Sequence, residues 1–338
     1  MKPKIVVVGS SNTDMVLKLN RIPKPGETIL GGEFAIAAGG KGANQAVAAA
    51  QAGGAVTLIA RVGKDMFGEQ AVAGFARCGI NVDHVQRDKC ASGVALIFVA
   101  EDGENSIGVG SGANGKLSPA DVRKAKAAFT TAHAVVMQLE TPLETVMAAA
   151  ELAESKKAIV ILNPAPAQRL PDSLLKKITI LTPNETEAEL LTGVKVSDDA
   201  SCSRAATILL RKGVKTVIIT LGSRGAFVAT GDAKQFVPGF KVKAVDTTAA
   251  GDTFNGALAV ALAEGLPMID AIRFANAAGA ISVTRMGAQP SAPTRKEIEK
   301  LLISKKPVNF DGAAARVLGG PHINGRARQR ASAASRRR

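Results

Sequence analysis

Ile5-Val-Val-Val8 is an unbroken apolar run that stops abruptly at Gly9-Ser-Ser-Asn-Thr-Asp14. Apolar residues in succession, without polar alternation, predict a strand buried on both faces. Val56–Ala60, Ala134–Gln138, Ile159–Asn163, Ile178–Thr182 and Thr216–Thr220 repeat this short β-rich pattern. Between them the apolar period lengthens to that of a helix, over Gly39–Gln51, Pro142–Ser155, Glu185–Thr192 and Ser203–Lys212. Strands alternating with amphipathic helices predict an α/β fold with a doubly wound, mostly parallel sheet flanked by helices.

Two segments break the rhythm. Met15–Ala37 carries no helical period, and Gly93–Gly108 reads as a hairpin turning at Glu101-Asp-Gly-Glu104. Gly93–Ala100 is apolar on both alternating faces, so a small sheet here is expected to cover a ligand or core on one side and another subunit on the other. Further on, Lys241–Val245 predicts a strand. Phe254, Ala257, Leu258, Ala261 and Leu262 recur with helical spacing, which leaves Thr248-Ala-Ala-Gly251 as a tight turn between the two. After Leu302 the character changes to Gly, Ala and Arg. The predicted organisation is one α/β domain over residues 1–303, carrying the small sheet, and a basic disordered tail over 304–338.

Composition narrows the chemistry. The 338 residues are 46% hydrophobic but only 3% aromatic, with no Trp and no Tyr, so aliphatic faces, Phe or backbone must hold any sugar or base. The formal net charge of +14 first suggests nucleic acid. Residues 304–338, however, hold nine Lys/Arg against one Asp, more than half of that excess. A non-catalytic nucleic-acid binder would account for the tail and leave the rest of the chain unexplained; weak contacts of the tail with RNA or acidic partners are the most it implies. Cys78, Cys90 and Cys202 lack metal-type spacing and suit a reducing compartment, and no stretch approaches a membrane span or a cleavable leader. A cytoplasmic location is expected.

The polar residues cluster where strands end. A turn of small residues at a helix start, Ala249-Ala-Gly251, can point backbone N–H groups at an anion, and Asp252 beside it can act as a base or simply favour the helix start. Thr220-Leu-Gly-Ser-Arg-Gly225 is a second Gly-rich turn, and Asn184-Glu-Thr-Glu187 follows another strand. Neither contains the Gly-Lys-Ser/Thr of a Walker loop. Asn12, Asp14 and Gly39-Gly-Lys-Gly-Ala-Asn44 place two amides, one carboxylate and one cation near the first strand, a set better suited to a polyol than to a phosphate.

In order and spacing, Gly39–Asn44, Asn184–Glu187 and Asp246–Asp252 resemble the ribokinase-like (PfkB) carbohydrate kinase family over about Ile5–Leu302. Val135–Glu140 followed by Thr-Pro-Leu-Glu, Leu162-Asn-Pro-Ala-Pro-Ala167 and Gly287-Ala-Gln-Pro-Ser291 resemble, within it, a member that phosphorylates D-ribose at its 5-hydroxyl with ATP; another sugar or a nucleoside is the alternative acceptor. The resemblance implies a β-sheet lid from residues 15–37 and 93–108 and a homodimer formed through it. It implies ribose held by Asn12, Asp14, Gly40, Lys41, Asn44 and Glu140, Asp252 as general base, and an anion hole at Ala249, Ala250 and Gly251. ATP would contact Asn184, Thr220, Leu221, Gly222, Ser223, Arg224, Gly225, Gly251 and Asn276. Glu187 would help place Mg²⁺ through water. A K⁺ site would draw on Asp246, Thr248, Ser282, Arg285, Gly287 and Ser291.

Overall fold

The computed structural model describes residues 1–304; nearly all of the predicted tail lies outside the described residues. The chain opens with β1 (Lys4–Val8), β2 (Asn12–Leu19), β3 (Glu33–Gly39), α1 (Lys41–Gln51), β4 (Ala55–Gly63), α2 (Met66–Arg77) and β5 (Asn81–Asp88). It continues through β6 (Gly93–Ala100), β7 (Asn105–Gly110), α3 (Pro119–Lys124), α4 (Lys126–Thr130), β8 (Ala134–Met137), α5 (Leu143–Ser155), β9 (Ile159–Leu162) and α6 (Asp172–Leu175). The last part comprises β10 (Ile180–Leu181), α7 (Glu185–Thr192), α8 (Asp199–Arg211), β11 (Thr216–Thr220), β12 (Gly225–Ala229), β13 (Lys234–Pro238), α9 (Ala250–Ala263), α10 (Met268–Ser282) and α11 (Arg295–Ser304).

Nine strands form one sheet in the order β13-β12-β11-β10-β9-β8-β1-β4-β5, parallel except for the β11-β12-β13 meander at one edge. The alternation hidden inside the apolar runs now has a cause. Ile5 and Val7 of β1 enter the core beneath α1, α9 and α10, while Val6 and Val8 enter the core beneath α3, α5 and α8. Both faces are covered, so neither can be polar.

Four strands form the small second sheet, in the order β3-β2-β6-β7, with β2 and β6 parallel in register from Asn12 beside Gly93 to Leu19 beside Ala100. It spans more than was expected, because β2 starts at Asn12 and β7 runs on to Gly110. Ala95 and Ala100 are buried, while Phe34, Ile36, Leu96, Ile107 and Val109 are all more than half exposed. Residues 241–245 are not a strand. The Val245 and Asp246 N–H groups donate to the Val283 carbonyl at the end of α10, at 2.7 and 3.2 Å, so this stretch pairs with a helix terminus rather than a sheet edge.

Candidate active site

β1 lies between β8 and β4, and the chain winds outward in both directions from it, so a crevice opens at the strand ends between β1 and β8. Ser10, just past β1, donates its hydroxyl to Glu140, just past β8, at 2.5 Å, and the Lys41 N–H donates to the same carboxylate oxygen at 2.9 Å. Glycine lets the chain close here. A Cβ on Gly39 would sit 2.1 Å from the Asp14 carboxylate, and one on Gly40 (φ 87°) would sit 2.6 Å from the Asn12 nitrogen. Asn12, Asp14, Gly40, Lys41, Asn44 and Glu140 are thereby gathered around one crevice. Asn114 braces it: its side-chain N–H groups donate to Asn12 Oδ1 at 2.6 Å and to the Ser11 carbonyl.

The electrostatics are those of crowded carboxylates. Burial, then Glu140 and Asp252, push the Asp14 carboxyl up to about 6, against the opposing pull of Lys41. Asp252 sits in the first turn of α9 and is 6% exposed. Burial pushes its carboxyl upward, opposed by Lys41 and by hydrogen bonds from Gln45 and Asn44. Asn44 Nδ2 donates to Oδ2 at 3.0 Å and Gln45 Nε2 donates to Oδ1 at 2.9 Å. The sequence reading missed Gln45, and with it Gln138 and Asn163. A glutamine inside the Ala- and Val-rich α1 was the available signal. Asn44 Oδ1 is buried with no partner among the described residues, as expected of an atom reserved for a hydroxyl donor.

A cavity of about 840 Å³ lies on the far side of the Ala249–Gly251 turn. Asn184, Thr220, Gly222, Ser223, Gly225, Phe240, Ala250, Gly251, Asn276 and Gly279 are among its lining residues. Two expected members fall elsewhere. Leu221 is buried in the core, and Arg224, though not among the lining residues, pairs at 2.7 Å with Glu185, which is. Asn276 reaches the cavity while its amide donates to the Val237 and Pro238 carbonyls at 3.2 Å, which ties α10 to β13.

The turn itself has the form of an anion cradle. Ala249 adopts the left-handed conformation, φ 58° and ψ 17°, rare for a residue with a Cβ. The N–H groups of Ala249 and Gly251 make no hydrogen bond among the described residues, and that of Ala250 makes a long one, 3.3 Å, to the Thr247 carbonyl. A Cβ on Gly251 would meet no atom. Free N–H groups at a helix start, facing open space, fit the phosphates of a nucleotide.

Among the described residues, no group of three or more His, Cys, Asp and Glu could hold a metal ion. Mg²⁺ is commonly held by one or two carboxylates together with substrate phosphates, which fits Glu187. That residue forms a reciprocal cap with Asn184, each accepting from the other's backbone N–H at 2.8–2.9 Å. Burial raises its carboxyl pKa despite the bond from Asn184. At the expected K⁺ position, burial pushes the Asp246 carboxyl upward but the Thr248 and Gly287 donors outweigh it and hold it low. Its two oxygens accept from those N–H groups at 2.9 and 2.8 Å, stapling the turn to the loop after α10. Ser282 and Ser291 spend their hydroxyls on the Gly279 and Ala288 carbonyls, and Arg285 pairs with Glu297. Any cation there would be held by backbone carbonyls together with the lone pairs that the Asp246 and serine oxygens keep.

Fold and site together define a sugar kinase. Residues 2–295 match the pfkB family carbohydrate kinase, and the chain belongs to that family. A ribokinase from Haemophilus influenzae is 48% identical over 303 residues, spanning 89% of this chain and 99% of the relative. A deoxyribokinase from Salmonella typhi is 40% identical over 300 residues, or 88% of this chain and 98% of the relative. The Arabidopsis thaliana ribokinase complexed with ribose and ATP superposes with a TM-score of 0.83 at 36% identity, covering 89% of this chain and 99% of that one.

Proposed function

We propose that this chain transfers the γ-phosphoryl group of ATP to the 5-hydroxyl of D-ribose, giving D-ribose 5-phosphate and ADP. The observation that carries the proposal is the position of Asp252. Its buried carboxylate ends a crevice lined by polyol-binding groups and adjoins unpaired N–H groups that open on the nucleotide-sized cavity. Asn12, Asp14, Lys41, Asn44 and Glu140 hold and orient the sugar. Asp252 accepts the 5-hydroxyl proton as that oxygen bonds to phosphorus and the bond to ADP breaks. Phosphoryl transfer has a loose transition state, so orientation and charge stabilisation matter more than a strong base. The Ala249 and Gly251 N–H groups stabilise the charge that develops on the transferred group.

Mg²⁺ bound beside Glu187 would neutralise phosphate charge. K⁺ beside Asp246 would stiffen the turn, and equal rates in K⁺ and Na⁺ buffers would count against that site. The small sheet acts as a lid whose exposed apolar face pairs with a second copy, and the three free cysteines suit a cytosolic setting. Asp252→Asn should leave ribose and ATP binding, measured by calorimetry, within a few-fold of the parent while lowering kcat about 10³-fold. Undiminished turnover in that variant would remove the base from the mechanism.

A further inference from the structure

Behind Asp252 runs a chain of buried amides that the proposed reaction does not yet use. Gln45 Nε2 donates to Asp252 Oδ1 at 2.9 Å and to Asn163 Oδ1 at 3.1 Å, and Gln45 Oε1 accepts from Gln138 Nε2 at 2.6 Å. Asn163 Nδ2 is committed to the Thr182 carbonyl at 3.3 Å, so its oxygen needs a donor, as does an ionised Asp252. Both demands turn the Gln45 amide nitrogen toward Asp252 and its oxygen toward Gln138. Gln45 and Gln138 are wholly buried. Gln138 Oε1 has no partner among the described residues and lies where a Cβ on Gly9 would be, 2.2 Å away. A buried glutamine with an orphaned oxygen costs stability and does nothing for packing that a methionine would not do.

We propose that Gln45, its amide direction set by Gln138, is a positioning residue for the phosphoryl transfer, presenting one fixed N–H to Asp252 so that the carboxylate keeps the acceptor form and a single orientation. This rests on Asp252 being the base. Without the Gln45 donor, burial is opposed only by Asn44 and Lys41, while Asp14, Glu140 and Glu187 repel a second negative charge. Protonated Asp252 would then persist to higher pH.

The experiment is a pH–kcat profile for Gln45→Met and Gln138→Met beside the parent and Asp252→Asn, at saturating ribose, ATP and Mg²⁺. Gln138→Met exchanges the orphaned Gln138 oxygen for an unpaired Gln45 Oε1 and leaves both bonds donated by Gln45 in place, so it reads the positioning effect even if Gln45→Met fails to fold. Gln45→Met is expected to lower kcat about tenfold or more, with KM for ribose and ATP within about threefold. Its acid limb should move to higher pH, and Gln138→Met should shift the same way by less. Parent kcat and an unmoved acid limb in both variants would overturn the inference while a dead Asp252→Asn upholds the base. Loss of activity with an unmoved limb and parallel rises in KM would also overturn it, as a purely structural role. An active Asp252→Asn would remove the base and this inference together.

Discussion

Gly256 of α9 lies against Ala48 of α1 so closely that a Cβ on the glycine would sit 2.7 Å from the Ala48 Cβ and 2.6 Å from the Gln45 carbonyl oxygen. This crossing brings the starts of both helices to one point, where Asn44 and Gln45 of α1 grip Asp252 of α9. Gly256→Ala gains at most ~1 kcal/mol of helix propensity and loses ~1–3 kcal/mol to overpacking. A lower melting temperature is expected, together with a fall in kcat larger than that in ribose affinity. An unchanged kcat would mean that the crossing does not aim Asp252.

Gly251 offers the opposite case. Its Cβ would meet no protein atom, so Gly251→Ala should melt within a few degrees of the parent. The added methyl enters the space assigned to phosphate, and KM for ATP should rise or kcat fall by about tenfold or more. A variant with parent kinetics would move the anion cradle elsewhere.

Asp14 is held at about 6 against an ordinary 3.8. A carboxyl raised on folding costs the folded state nothing below 3.8, progressively more up to about 6, and the full amount above it. Asp14→Asn should therefore raise the melting temperature at pH 8 and leave it unchanged at pH 4. In the parent, KM for ribose should climb as pH falls through about 6, where the carboxylate loses its acceptor form. A flat KM between pH 5 and 8 would contradict the placement of Asp14 against the sugar.

One face of the small sheet carries the exposed Phe34, Ile36 and Leu96, bridged by Met15 and Leu17 of β2, while Ile107 and Val109 share the opposite face with Ala95 and Asp14. Leu96→Asp together with Ile36→Asp is expected to convert a dimer to a monomer in multi-angle light scattering. A parent protein that is already monomeric would remove this role from the lid.

The sheet was legible because strands buried on both faces must be apolar throughout, as β1 is. The crevice was legible because Gly39–Asn44 and Asp252 carry side chains that have no use in a core. The exceptions have local causes. Lys241–Val245 alternates like a strand, but β13 has already ended the sheet and α10 offers carbonyls instead. Leu221 and Arg224 sit within a Gly-rich turn whose backbone, not its every side chain, faces the cavity. Gln45 and Gln138 are spaced like core residues and are polar, and only their meeting with Asp252 in three dimensions explains that choice.

The central claim is tested most directly by coupled ADP release with ribose, 2-deoxyribose, fructose and adenosine as acceptors, with the phosphorylated carbon identified by NMR. D-Ribose is expected to give the highest kcat/KM, with phosphate on carbon 5. ADP release no faster with ribose than without any acceptor, or markedly faster with another of the four, would contradict the assignment.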